Sequence, residues 1–452
     1  MIKISLNKIA KITSGKIINN IYTEIDNIII NSKKITLGSL FIALRGDNFN
    51  AHNFISEAII KGAQGLLIEK EVQYNIPQIL VTNTLKALEE IASWLRKITN
   101  VKLIALTGSS GKTSVKEITA KILKKKGKTI FTPKNLNNKI GVSITLLNLK
   151  EHHKYAVIEV GANNPGEIKY INKIIKPNIV LINNIHYAHL KGFKSINGVA
   201  KAKQEIFSNL DKKGIIIINA DSNKWKIWNK SIKNKKVLCF SIKRKADFFA
   251  NNIYVSTKGI KFNLNTINNK IRIKVPLLGS HNISNILAAT AIVSCMNLPL
   301  KKIRNTIIKL RQITGRLKII KLSKKKYLID DTYNANIGSM NAAINFLNSI
   351  HGYKIIITGD MHELGDKSTY YHKFIGNKIK NSKINRIFSI GKLSKHISKQ
   401  NKQGQHFYTH EELVNKVKKL IMHKKNIIVL IKGSRNSKME KILGKIKEKI
   451  TC

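Results

Sequence analysis

The chain has 452 residues, about three times the ~150 of a typical domain, so two or three domains are expected, each long enough to bury its own core. Lys and Arg outnumber Asp and Glu by 81 to 25, a formal charge of +56, but only nine of the 81 are Arg, the residue suited to bidentate phosphate and guanine contacts. Lys, Ile and Asn, all spelled by A/T-rich codons, are abundant throughout, so the charge is read as base composition, not as a nucleic-acid surface.

Cys239, Cys295 and Cys452 are too few and too scattered for a disulfide framework or a zinc site, and suit a reducing compartment. The first residues carry charges inside their apolar stretch, unlike a signal peptide, and no run reaches the ~20 apolar residues of a membrane span. A cytoplasmic protein without a membrane or nucleic-acid partner is expected.

Residues 1–83 mix short strands and helices. DNIIINSKK and SLFIAL read as strands, and AHNFISEAIIKGA as a helix with Ile55, Ala58 and Ile59 on one face. GLLIE and QILVT follow as buried strands, and Leu85, Leu88, Ile91, Ala92 and Leu95 mark a helix over 85–100. From Val101 a strand, glycine turn and helix pattern repeats. VKLIALTG precedes a helix from Ser114 that carries Val115, Ile118, Ile122 and Leu123 on one side. YAVIEVGA, NIVLINNI and GIIIINA are further apolar strands, spaced for crossover helices and a mainly parallel sheet. A long helix begins at about His281. Near Gly315 a third region starts, with four strands in KYLIDDTYNAN, YKIIITGDM, RIFSIG and NIIVLIKGS and a last helix over 437–450. The expectation is an α/β protein in three regions, 1–83, 84–313 and 314–452, the last two built on mainly parallel sheets.

The segment Thr107-Gly108-Ser109-Ser110-Gly111-Lys112-Thr113 lies between a strand and a helix, the context of a phosphate-binding loop. Glycines let backbone N–H groups turn toward phosphate oxygens, Lys112 supplies a point charge, and the Thr113 hydroxyl suits Mg²⁺. The full pattern would place Gly at 106, where this chain has Leu. Glu159 ends a strand beside this loop, a position for a metal-binding carboxylate or for a capping acid.

Many segments, in order along the chain, resemble the Mur ligases, the ATP-dependent amino-acid and peptide ligases of peptidoglycan synthesis. They are LFIALRGDNFNAHNF, TGSSGKTS, NLNNKIGV, VIEVGAN, AHLKGF, GVAKAKQEIF, GSHNISNILAA, TGRL, DDTYNANIGSM, GDMHELG and KGSR. The combination NLNNKIGV, AHLKGF, DDTYNAN and KGSR is similar to the branch that adds a dipeptide. The resemblance implies ligation of D-alanyl-D-alanine to UDP-N-acetylmuramoyl-tripeptide through an acyl phosphate. It also implies three domains, a UDP-substrate domain over 1–83, a central P-loop ATPase domain over 84–313 and a C-terminal Rossmann-like domain over 314–452, with two Mg²⁺ ions and meso-diaminopimelate as the third peptide residue; a monomer is expected. It selects His189 over the nearby His186 as a metal ligand beside Thr113 and Glu159. It makes Lys203 a lysine that takes up CO₂ as a metal-binding carbamate. Lys112, His189 and Lys203 are thus the implied catalytic set. Asn282 and Asn285 fall near adenine, Asn282 being equally placed to cap its helix. Arg316 falls near the ATP phosphates and Asp331 by the ribose. Ser32 and Arg45, with Gly46, resemble contacts to the uridine diphosphate. Asn135, Asn137 and Asn138 match a loop that meets the muramyl peptide, and an Asn-rich turn accounts for them equally. Asn334, Asn336, Lys432, Ser434 and Arg435 would line the closing face. The family usually has Asp-Ser/Thr-Arg where this chain has Asn31-Ser32-Lys33. Sister reactions, a single amino acid or a folate polyglutamate as product, are disfavoured by NLNN, DDTYNAN and the collinear first domain.

Overall fold

Three large sheets follow one another along the chain in this computed structural model, which describes residues 2–19, 22–46, 49–222 and 225–451. Cys452 lies outside the described residues. The first sheet has five strands, in the spatial order Lys16–Ile18, Gln78–Leu80, Ala63–Ile68, Ser39–Ile42 and Asn27–Ile29. It is parallel apart from the first pair. The strand expected in DNIIINSKK stops at Ile29. Asn31 then accepts a hydrogen bond from Lys33 N at 3.0 Å and starts a 3-10 turn over Ser32–Lys34. A short polar side chain competing for backbone N–H groups ends the strand there.

The second sheet has nine strands. Thr129–Phe131, Tyr155–Glu159, Lys102–Thr107, Ile179–Ile182, Ile215–Asn219, Lys236–Ser241 and Phe248–Ser256 run parallel. An antiparallel meander, Gly259–Asn265 and Lys270–Val275, completes it. Residues 260–265 and 270–275 alternate apolar and polar strictly, with Ile260, Phe262, Leu264, Ile273 and Val275 buried, yet the strands over 236–275 were not among the expected elements. The Lys102–Thr107 strand lies between Tyr155–Glu159 and Ile179–Ile182, where the chain reverses its direction across the sheet. Such a switch point opens a crevice at the C-terminal ends of the strands. The four isoleucines of Ile215–Asn219 are flanked by parallel neighbours, as a continuous apolar strand demands.

The third sheet orders Lys318–Ser323, Lys326–Asp331, Ile427–Lys432, Tyr353–Thr358, Arg386–Ile390 and Gly404–Phe407, antiparallel at its first pair and parallel after it. Lys318–Ser323 and Gly404–Phe407 extend the expected four strands to six. Both are edge strands with few buried residues, so their apolar signal is faint.

The helix Thr84–Ile98 ties the first two sheets together. Asn83 caps it through Lys86 N at 2.8 Å, and Leu88, Ile91, Ala92 and Leu95 are fully buried. That stripe meets the helix Leu6–Thr13 on one side and the helices Lys139–Leu147 and Glu167–Ile175 on the other. Burying each such Leu or Ile stabilises the fold by about 1.5–3 kcal/mol. One contiguous apolar cluster runs from this helix into the third region, where Ile337, Met340, Met361 and Leu364 belong to it. The C-terminal region is therefore docked on the central one. Among the described residues no helix is long and apolar enough to cross a membrane.

Candidate active site

The loop after Lys102–Thr107 turns through Gly108 (φ 153°) and Gly111 (φ 77°) into the helix Lys112–Leu123, two residues earlier than the helix expected from Ser114. Leu106, at the place of the missing glycine, is a fully buried strand residue, so the turn begins after it. A Cβ on Gly111 would stand 2.5 Å from Asn285 Oδ1 and 2.6 Å from Asn183 Nδ2, so no other residue fits there without a shift. An asparagine relay surrounds the loop. Asn282 Nδ2 donates to Leu278 O at 2.7 Å, and Asn285 Nδ2 donates to Asn282 Oδ1 at 3.1 Å. Asn183 Nδ2 donates to Asn285 Oδ1 at 3.1 Å and to Ser110 O at 2.9 Å. Ser110 N donates to Asn184 Oδ1 at 2.8 Å. Ser109 is held by His186, whose N–H donates to its Oγ at 3.0 Å. Lys112, half-buried, donates to Gly108 O at 2.8 Å and so lies folded over the loop. Burial lowers its pKa, with Glu159 opposing and Arg316 adding to the effect.

Glu159 closes the Tyr155–Glu159 strand and is buried. Asn137 Nδ2 donates to its Oε1 at 2.9 Å, while its Oε2 accepts no hydrogen bond. Lys116 Nζ stands 3.8 Å from Oε2 and donates to Lys134 O at 3.0 Å. Lys116 is fully buried. Asn137 thus orients the acid in this structure, and Asn138 caps the helix Lys139–Leu147 through Gly141 N at 2.9 Å. Asn135 is exposed on the same loop.

His189 and Lys203 flank one ring. Phe193 lies 6.3 Å from the His189 ring and 5.5 Å from Lys203 Nζ. Lys203 is 1% exposed, and its Nζ has no hydrogen-bond partner among the described residues. Burial, then the field of Lys112, pushes its pKa down to about 7. An amine in that state is neutral for much of the time at ordinary pH, the form that reacts with CO₂.

The third region brings five side chains to this centre. Arg316 Nη2 donates to Thr113 Oγ1 at 3.0 Å, with its guanidinium carbon 4.3 Å from the Tyr333 ring centroid. Asn336 Nδ2 donates to Ser109 O and to Ser110 Oγ, each at 3.2 Å, while its Oδ1 accepts from Ser339 N and caps the helix Ile337–Asn348. Glu363 Oε2 lies 2.5 Å from His189 Nδ1, a contact that holds the Glu363 carboxyl below the usual range. Lys432 Nζ lies 2.6 Å from Asp331 Oδ2, and Leu317 N donates to Asp331 Oδ1 at 3.2 Å, so both oxygens are engaged. Burial raises the Asp331 pKa and Lys432 opposes it. Positive charge is concentrated here: His281 is pushed down to about 4 by burial and then by Lys432 and Arg316. Such a field suits a polyphosphate.

Other expected residues lie outside this centre. Ser32 Oγ donates to Glu57 Oε2 at 2.7 Å, and Arg45 is exposed on the hairpin Arg45–Gly46 and Phe49–Asn50. Asn334 is exposed, Ser434 is buried and bonded to Ser437, and Arg435 reaches the surface beside Glu440 at 3.4 Å. Asn183, Asn184, Lys116 and Glu363 had no expected role. The asparagine pair ending an apolar strand was a usable signal, as was an acid in GDMHELG in a chain poor in acids. Lys116 carried none, because one more helix lysine looks solvated.

Among the described residues no three His, Cys, Asp or Glu side chains cluster as a metal site would require. Thr113, Glu159 and His189 with Lys203 still fit Mg²⁺ on one condition. The orphaned Glu159 oxygen is an available donor, and the orphaned Lys203 amine must gain a carboxylate, since an ammonium cannot ligate a cation.

Comparison with known proteins gives a consistent result. Residues 106–293 match the Mur ligase middle domain, and 315–435 match the domain described as Mur ligase, glutamate ligase domain. The UDP-N-acetylmuramoyl-tripeptide–D-alanyl-D-alanine ligase of Buchnera aphidicola (subsp. Baizongia pistaciae) is 52% identical, covering 99% of this chain and 98% of its own. The ligase of the same name from Escherichia coli is 42% identical over the full length of both. A crystal structure of MurF from Acinetobacter baumannii superposes with a TM-score of 0.94 at 32% identity, covering 99% of each chain. With these matches spanning the whole length and a P-loop centre closed by the third region, the chain belongs to the Mur ligase family.

Proposed function

We propose that the protein joins D-alanyl-D-alanine to UDP-N-acetylmuramoyl-tripeptide at the expense of ATP, giving the UDP-linked pentapeptide used in peptidoglycan synthesis. Relatives of that name at 52% and 42% identity, collinear from end to end, carry the reading. Diaminopimelate as the third peptide residue is supported by an Acinetobacter baumannii structure, 31% identical, whose name specifies a 2,6-diaminopimelate-containing substrate. ATP as substrate supports a cytoplasmic location, and the protein is taken to act as a monomer.

A carboxylate is a poor electrophile. Its oxygen attacks the γ-phosphorus of ATP, the bond to the β-phosphate oxygen breaks, and an acyl phosphate and ADP form. The dipeptide amine then attacks the acyl carbon, phosphate leaves, and the amine loses a proton. Backbone N–H groups at the start of the Lys112–Leu123 helix and the Lys112 ammonium hold the phosphates, and Arg316, reaching Thr113, adds positive charge where negative charge gathers. Asn282 is assigned to the adenine side and Asp331 to the ribose. Ser32 and Arg45 are assigned to the uridine diphosphate. Asn135, Asn137, Asn138, Asn334, Asn336 and Arg435 are assigned to the peptide substrates. Thr113, Glu159, His189 and carbamylated Lys203 would hold two Mg²⁺ ions, which supply charge neutralisation at the phosphates. The neutral Lys203 amine adds to CO₂ and releases a proton, turning an uncharged nitrogen into an anionic carboxylate donor. Docking of the third region through Arg316, Asn336 and Glu363 keeps water from the acyl phosphate.

Phosphate release from ATP and UDP-N-acetylmuramoyl-tripeptide should depend on D-alanyl-D-alanine. Turnover with glutamate or diaminopimelate in its place would assign a sister reaction. Lys203→Ala should be nearly inactive, and acetate should partly restore it. Full activity of that variant would remove the carbamate from the mechanism.

A further inference from the structure

His189 and Glu363 meet across the boundary between the central and C-terminal regions, and both sit in the left-handed backbone region, at φ 51° and φ 65°. Non-glycine residues pay strain there and persist where the surroundings over-determine them, commonly at functional sites. The surroundings here do so on both sides. Ala188 and Leu190, flanking His189, are each 4% exposed. Glu363 lies in a loop pinned by buried Met361 and Leu364. Met361 N donates to His372 Nε2 at 3.0 Å. Asp360 Oδ1 accepts from Leu393 N at 3.0 Å and Ser394 N at 2.7 Å. The Glu363 carbonyl also accepts from Lys191 N at 3.1 Å, a second bond to the His189 segment. The carboxylate is thus delivered to the ring by a rigid support on each partner.

We propose that Glu363 is a positioning residue for His189. The 2.5 Å contact lacks hydrogen-bond alignment in this structure; with the ring turned into line the carboxylate takes the Nδ1 hydrogen, the lone pair is left on Nε2, and the ring is oriented only while the C-terminal region is docked. A carboxylate behind a ligating histidine fixes both tautomer and direction. Docking and Mg²⁺-dependent nucleotide binding then strengthen each other, because linkage is reciprocal. The inference rests on His189 being a Mg²⁺ ligand, as assigned above.

The test is calorimetric binding of ADP with Mg²⁺ or with EDTA, on Glu363→Asn, Glu363→Gln, His189→Ala and the His189→Ala/Glu363→Asn double variant. Asn tolerates the left-handed backbone but is too short to reach the ring, and Gln keeps an acceptor at the same place. Thermal unfolding of each variant, without ligand, verifies the fold. Glu363→Asn should weaken ADP binding in Mg²⁺ by about 10–100-fold, the scale for losing such a support, and leave binding in EDTA unchanged. Glu363→Gln should retain most of the affinity. In the His189→Ala background Glu363→Asn should add nothing, because the residue it orients is gone. An unshifted Glu363→Asn beside a weakened His189→Ala would overturn the proposal and leave the ligand assignment standing. An unshifted His189→Ala would overturn both. Additive losses in the double variant would show that Glu363 acts independently of the ring, and would overturn the proposal as well.

Discussion

Replacing Lys203 by Met should make the protein more stable and inactive. The side chain is 1% exposed, its amine has no hydrogen-bond partner among the described residues, and its pKa is pushed down from 10.5 to about 7. That displacement of about three and a half pH units is worth roughly 5 kcal/mol at ~1.4 kcal/mol per unit. Below about pH 7 both folded and unfolded chains hold the proton, and the native state bears the full cost of a buried ammonium. Between pH 7 and 10.5 the unfolded chain keeps a proton that the native chain has released, so stability rises with pH across that window. Above 10.5 the amine is neutral in both states and the cost is gone. Methionine has a similar volume and no charge. It should therefore stabilise by about 5 kcal/mol at pH 6 and about 3 kcal/mol at pH 8, with no gain near pH 10.5. Urea unfolding in CO₂-free buffer at these three pH values measures the difference, and phosphate release measures the lost activity. A variant no more stable than the parent at pH 6, or a gain that does not shrink as pH rises, would refute the unpartnered-amine argument. A gain of the expected size marks the instability as the cost of a residue kept for its reactivity.

Lys112→Ala should lower kcat by about 10²–10³-fold, the scale of removing one preorganised charge contact, with an unchanged unfolding midpoint. Near-normal turnover would remove the phosphate assignment. Lys432→Met leaves the Asp331 carboxylate without its counter-charge and should destabilise by about 3 kcal/mol in denaturant titrations at neutral pH. A neutral effect would mean that solvent already serves Asp331. Despite the +56 charge, duplex DNA should bind weakly by fluorescence anisotropy and release at ~0.2 M salt; a sequence-selective complex that survives would restore a nucleic-acid role.

Local pattern was enough to read the P-loop from residues 107–113, because strand, glycine turn and helix are set by neighbours a few positions apart. The apolar runs 155–162, 178–185 and 215–219 were legible as parallel strands for the same reason, since strands buried on both faces need continuous hydrophobicity. The helix at His281 and the stripe on Thr84–Ile98 follow from periodicity and from caps such as Asn83. The strict alternation of IKFNLN and KIRIKV also marks two strands, although they were not among the expected elements, whereas the mixed run 248–256 takes its order from its pairing partners. Tertiary structure alone decided which lysine is buried without a partner and which is buried beside an acid. Lys203 and Lys116 look like ordinary helix lysines in a chain with so many, and burial is a property of what packs around them. It also decided that Asn137 turns to Glu159, that Arg316 and Asn336 cross to the P-loop, and that Glu363 meets His189. These contacts join residues up to 227 positions apart, and the order of strands in the sheets and the docking of the C-terminal region, not local sequence, bring them together.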